Sequence, residues 1–171
     1  MIKTTLIGLL SIAGMLVSPA GKATVIPWSA TINQAQEVPP SGSLGTGSAS
    51  GSVDDVSGDL AWNISFAGLT GPVTAMHFHG PAAPGVNAGV QVNIGNISGL
   101  SSPSAGSTTI TLLQVKDLLA GNWYINLHTS AFPGGEIRGQ VQPEAAVPEP
   151  ALLGLLGLGL AGLVASRRRK R

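Results

Sequence analysis

The chain has 171 residues, no cysteine, 10% charged residues and a formal net charge of +1. Without cysteine it can form no disulfide and offers no thiolate to a metal, so packing must supply its stability. The positive balance sits at the two ends: between Thr24 and Pro143 six acidic residues face two basic ones, Lys116 and Arg138, a net charge of −4, which leaves nothing to neutralise phosphates and excludes nucleic-acid binding.

Residues 1–23 read as a signal peptide. Lys3 gives a positive start and Leu6 to Val17 an apolar core, after which Ser18-Pro19-Ala20 or Gly21-Lys22-Ala23 offers small residues for cleavage. An uncleaved anchor is the alternative; the short core and small-residue site favour cleavage near Thr24. Residues 24–143 are then enough for one domain with a single core.

Within that region the apolar period is two. Trp28–Ile32, Leu60–Phe66, Val90–Ile94 and Trp123–His128 alternate apolar with polar or small residues and are expected to be half-buried strands. Turn residues separate them at Pro39-Pro40-Ser41-Gly42, Ser57-Gly58-Asp59, Gly68 to Pro72, Ser101 to Gly106 and Pro133-Gly134-Gly135. The Gly/Ser-rich stretch from Ser41 to Ser52 is either a flexible loop or a strand lying close to another backbone; the tight turn into Asp59–Phe66 favours the strand. Leu112, Leu113, Val115, Leu118 and Leu119 recur at helical spacing and Gly121 can stop the segment, which predicts one short helix. The expected fold is all-β: an antiparallel Greek-key sandwich with that single helix.

Residues 144–171 form a third segment: Pro148-Glu149-Pro150, an apolar run from Ala151 to Ser166, then Arg167-Arg168-Arg169-Lys170-Arg171. As a helix the run reaches only roughly 24 Å, marginal for a membrane span. Cations directly after an apolar segment stay on the cytoplasmic side, so the chain ahead of Pro148 is expected to be exported. Proline-glutamate-proline, apolar run and basic end in that order resemble the PEP-CTERM sorting signal of Gram-negative bacteria. The resemblance implies cleavage by an exosortase-type protease, contact with the membrane only through this segment, and an exopolysaccharide or biofilm setting with polysaccharide or surface-protein partners.

Chemistry, if any, lies with the three histidines, His77, His79 and His128. On a strand His77 and His79 share a face with their α-carbons roughly 6.6 Å apart, while Met76 and Phe78 take the other. His128 likewise shares a face with Tyr124 and Asn126, opposite Trp123, Ile125 and Leu127. Three imidazoles that converge make a candidate metal site, and all-nitrogen ligation suits copper or zinc better than calcium or magnesium. The bland alternative is three solvated or backbone-bonded histidines, because His-Xaa-His alone is a weak signal. No catalytic residue stands out. Asp54 to Asp59 lacks a calcium-loop ladder and reads as a hairpin turn, no Gly-Xaa-Ser-Xaa-Gly elbow occurs, and Gly45 to Gly51 lacks the lysine of a phosphate loop.

The same segments carry a second resemblance. Ala30 to Pro40, Ala75-Met76-His77-Phe78-His79-Gly80-Pro81-Ala82, Leu119 to Thr129 and Pro133 to Val141 are similar to the CHRD domain, named from chordin. It implies an extracellular β-rich domain found in animal regulators of growth-factor signalling and in bacterial secreted proteins. A weaker resemblance is to copper/zinc superoxide dismutases, whose sandwich, like that of immunoglobulins, is of the expected kind. It implies copper at His77, His79 and His128, with Arg138 guiding substrate; pairing with Glu136 or capping the sheet is the other role open to Arg138. A bridging histidine, an acidic zinc ligand and the family's cysteine pair are all missing. The primary expectation is therefore an exported surface or matrix binding module, and the alternative a copper-dependent oxidoreductase.

Mass spectrometry of the mature surface protein should show that the segment after Pro148-Glu149-Pro150 has been removed. Recovery of the intact Arg171 end would reject processing.

Overall fold

The computed structural model describes residues 23–144. The leader up to residue 22, Pro148-Glu149-Pro150 and the apolar run with its basic end lie outside the described residues. No helix among the described residues is long and apolar enough to cross a membrane.

Nine strands form the domain: β1 (Val25–Asn33), β2 (Thr46–Asp54), β3 (Asp59–Ala67), β4 (Val73–His79), β5 (Val90–Asn93), β6 (Ser104–Thr109), β7 (Tyr124–Thr129), β8 (Ile137–Gln140) and β9 (Gln142–Pro143). All pair antiparallel, in the order β5-β4-β7-β8-β1-β2-β3-β6, with β9 also on β1. The sheet curls so that β5-β4-β7-β8 faces β1-β2-β3-β6, the expected sandwich, and the chain passes repeatedly from one layer to the other. At the seam β8 meets β1 through Asn33 opposite Arg138.

The expected helix is α2 (Leu112–Leu119), opened by a capping box in which Thr111 and Gln114 satisfy each other's backbone N–H groups. Val115 and Leu118 are buried, but Leu112 and Leu113 are exposed rather than packed. Two further expectations fail locally. Ile94 does not end a strand but starts a single helical turn, α1 (Ile94–Ser98), which Asn93 caps through the Asn96 N–H. The Ser101 to Gly106 segment is not all turn, because β6 begins at Ser104 and pairs with β3.

Phe78 sits at the centre of the core, with ring centroids 5.8 Å from Trp28, 5.7 Å from Trp62 and 5.9 Å from Trp123. Edge and tilted contacts of this kind add to the area they bury. Each indole also lies against a glycine. Trp28, Gly51, Trp62 and Gly106 form one cross-strand row over β1-β2-β3-β6. A β-carbon at Gly51 would run into the Trp28 indole and the Ala61 carbonyl, one at Gly106 would come 2.8 Å from the Trp62 ring, and one at Gly80 2.6 Å from Trp123. The Gly/Ser-rich stretch is thus a strand whose small residues make room for large ones, as the reading of close backbone approach requires.

The outward face of β7 and β8 is also buried. Tyr124, Asn126, Arg138 and Gln140 are covered by the segments at 34–43 and 80–89. Gln140 donates to the Ala82 carbonyl, Arg138 to the Val86 carbonyl and Asn87 Oδ1, and Asn87 Nδ2 to the Val38 carbonyl, so the two segments are tied to the sheet and to each other. Glu37 reaches inward beside Asn126, which donates to its Oε2 at 3.4 Å, while Glu37 Oε1 and Asn126 Oδ1 have no partner among the described residues. Burial raises the Glu37 carboxyl to about 7, against the opposing pull of Arg138 and the Asn126 amide. A neutral carboxyl resolves that geometry, since its O–H can donate where a carboxylate cannot.

Replacing Trp123 by Ala should cost about 3–5 kcal/mol and Gly51→Ala about 1–3 kcal/mol, both read by urea denaturation followed by far-UV circular dichroism. An unchanged midpoint for Gly51→Ala would show that the row is not tightly packed. For Glu37 the raised folded pKa sets the sign: its contribution is full below about 4.5 and is lost as pH rises through about 7. Glu37→Gln should therefore gain stability relative to the parent as pH rises across that window, and a pH-independent difference would contradict the buried neutral acid.

Candidate metal centre

The strand period decides which side chains meet. In β4 Met76 and Phe78 point into the core and His77 and His79 point away; in β7 Ile125 and Leu127 are buried inward while His128 leaves by the other face. In the β4–β7 ladder His79 lies opposite Tyr124, His77 opposite Asn126 and Ala75 opposite His128, which makes His128 the diagonal neighbour of His77. All three sequence-derived candidates come together. One nitrogen from each lies within 4.8 Å of the others, and His77 Nδ1 is 3.4 Å from His128 Nε2. Two ligand nitrogens about 2.0–2.1 Å from one ion are separated by roughly 3.3–3.6 Å in tetrahedral or trigonal geometry, so this pair is already at ligand spacing.

Tautomers follow from the partners. His79 Nδ1 is 2.9 Å from the Ala88 carbonyl and His128 Nδ1 is 2.9 Å from the Pro133 carbonyl. A carbonyl only accepts, so both Nδ1 atoms carry the proton and both Nε2 atoms present lone pairs. His128 Nε2 accepts from His77 Nδ1, whereas the buried His79 Nε2 has no partner among the described residues. Burial holds the His77 and His79 imidazoles below their usual range. The neighbouring imidazoles add to this for His77; for His79 the Ala88 bond opposes it, while His128 and Arg138 reinforce it. Both rings are therefore neutral at neutral pH, the form that binds metal.

Arg138 does not pair with Glu136. It is buried on the outward face, its guanidinium carbon 3.4 Å from the centre of the Tyr124 ring. Glu136 instead accepts from Ser43 Oγ, the Thr70 N–H and Thr129 Oγ1; burial works to raise its carboxyl, but these bonds hold it below the usual value. Arg138 sits beneath Tyr124 rather than open at the histidines, where a guide for an incoming anion would have to be. Asp54 belongs to the β2–β3 turn, its Oδ1 accepting from the Val56 and Ser57 N–H groups.

Sequence reasoning missed the shell behind the histidines. Ala88 and Pro133 act through backbone carbonyls, which no side-chain pattern announces, and Tyr124 reads simply as one more polar-face residue. A cavity of about 370 Å³ opens beside this shell between residues 37–41 and 131–135, with Glu37, Phe132 and Pro133 among its walls.

The PEP-CTERM protein-sorting motif matches residues 146–170, which include Pro148-Glu149-Pro150 and most of the basic end. It marks an exported bacterial protein of the envelope or surface that is processed by an exosortase. No curated protein and no solved structure matches the chain. The CHRD domain model matches residues 28–141, from Trp28 in β1 to the residue after β8, and takes in all three histidines and the covering segments. By that match the chain belongs to the CHRD domain family.

Proposed function

We propose that this exported protein is a surface or matrix module of a Gram-negative envelope that binds one copper or zinc ion through His77, His79 and His128. Signal-peptidase cleavage would start the mature domain near Thr24, and exosortase processing would remove the segment after Pro148-Glu149-Pro150. The observation that carries the metal reading is the approach of one nitrogen from each histidine to within 4.8 Å of the others, beside a buried His79 Nε2 that has no partner among the described residues. A buried acceptor with no donor is costly, and a metal ion satisfies it. Backbone carbonyls on the far nitrogens of His79 and His128 are the partners that metal-bound imidazoles commonly keep. On binding, His77 would move its proton from Nδ1 to Nε2, so that the ion takes the place of the hydrogen bond to His128. Three neutral nitrogens suit copper or zinc.

Binding is favoured over oxidoreductase chemistry because Arg138 lies under Tyr124. An exopolysaccharide or biofilm matrix as the surroundings, with a polysaccharide or a second surface protein as partner, is a reading whose one support is the sorting motif.

Isothermal titration of the exported protein with zinc(II) or copper(II) should give one ion per chain. His77→Ala, His79→Ala and His128→Ala should each weaken binding at least tenfold and the triple variant should abolish it; equal uptake by the triple variant would place the ion elsewhere. Lowering the pH should release the ion, because protons compete for the imidazoles. Since His77 and His79 are held below the ordinary value of about 6.5, release should occur at a lower pH than from exposed histidines. Superoxide turnover that is lost in the same variants would favour the dismutase-like alternative.

A further inference from the structure

Behind His79 stands a group that the metal reading does not require but the geometry joins to it. The rings of His79 and Tyr124 are stacked, 5.0 Å between centroids and 8° between planes. Tyr124 lies on β7, between β4 and β8 in the sheet, so His79 flanks it on one side and Arg138 on the other. The Tyr124 hydroxyl accepts from the Ala88 N–H at 3.0 Å and donates to the Ala88 carbonyl at 3.3 Å. That carbonyl is the same atom that accepts from His79 Nδ1. Tyr124 thus touches the imidazole with its ring and the imidazole's hydrogen-bond partner with its hydroxyl.

Arg138 fixes the same stretch of chain one and two residues earlier. Its Nη2 donates to the Val86 carbonyl at 3.0 Å and its Nη1 to Asn87 Oδ1 at 3.2 Å, while its plane rests against the Tyr124 ring. Residues 86, 87 and 88 are therefore held in succession by two side chains of the sheet. The stretch has other ties, Gly80 N–H to the Gly89 carbonyl at 3.1 Å and Asn87 Nδ2 to the Val38 carbonyl, but the Ala88 carbonyl itself is met by His79 Nδ1 and the Tyr124 hydroxyl, in a segment whose Gly85 and Val86 are exposed.

We propose that Tyr124, clamped by Arg138, is the positioning residue that holds the Ala88 carbonyl against His79 and so fixes that ring's tautomer and the aim of its Nε2. This rests on the metal reading for its purpose but not for its test. His128 supplies an internal control: its Nδ1 is held by Pro133, on a different loop. A positioning role for Tyr124 therefore alters His79 and leaves His128 as it was, whereas general loosening of the domain alters both.

The experiment compares wild-type full-length protein with Tyr124→Phe, which keeps the ring and removes the hydroxyl. In the metal-free proteins, imidazole ¹⁵N shifts should show His79 and His128 both protonated at Nδ1 in the wild type, and a mixed tautomer at His79 alone in the variant. With copper(II) as the probe, affinity should fall about 10–100-fold and the electron paramagnetic resonance spectrum should change. An unchanged His79 tautomer together with affinity within twofold of wild type would overturn the proposal, as would equal changes at His79 and His128. If the wild type takes up neither copper nor zinc, the metal reading fails, and the tautomer comparison still decides the role of Tyr124. Should Tyr124→Phe fail to fold, Arg138→Lys serves instead: it keeps the charge but loses the paired bonds to Val86 and Asn87, and the same His79-only signature is expected, its absence overturning the proposal.

Discussion

The contact of Phe78 with three tryptophans is the constraint from which the rest of this domain follows. Trp28 and Trp62 come from one layer, Phe78 from the other, and Trp123 from the entry to β7, so a single ring locks both layers together. Such a cluster fits a thin sandwich only if something small lies beside each indole, and Gly51, Gly106 and Gly80 provide that space. Because side chains on a strand alternate, anchoring Phe78 inward directs its neighbours His77 and His79 outward with no freedom left to choose. The histidine site is thus a geometric by-product of the hydrophobic core.

A second, polar core lies outside the first. Tyr124, Asn126, Arg138 and Gln140 are as buried as core residues, yet each brings hydrogen-bonding groups that must be matched. The segments at 34–43 and 80–89 meet that demand largely with backbone groups and with Gln36, Glu37 and Asn87. Arg138 is the most constrained member, a buried cation surrounded by carbonyl oxygens and an aromatic face, with Glu37 as the nearby acid. Its surroundings give it a structural duty on the side of the sheet where the histidines lie.

Much of this was legible in the chain. Period-two alternation identified the strands around Trp28, Leu60, Val90 and Tyr124, and it put His77, His79 and His128 on outward faces before any partner strand was known. Alternation says nothing about what covers an outward face, so the burial of Tyr124, Asn126 and Arg138 was not readable. The cover consists of irregular segments whose role depends on backbone carbonyls. β6 was hidden for another reason: Ser104-Ala105-Gly106-Ser107-Thr108-Thr109 has no apolar side chains large enough to show a period, because its task is to make room for Trp62. Leu112 and Leu113 misled in the opposite way, being apolar at helical spacing on a turn of α2 that faces solvent.

The pairing of β1 sets the order in which the domain can be completed. The first strand is held on one edge by β2, its neighbour in sequence, but its other edge is closed only by β8 and β9, through Asn33 with Arg138, Trp28 with Pro143 and Ser29 with Gln142. A chain that crosses a membrane with its N-terminus leading cannot close the seam until residues 138–143 have emerged, a few positions before the sorting motif begins at residue 146. The topology therefore defers the final closure of the domain until its own last strands arrive.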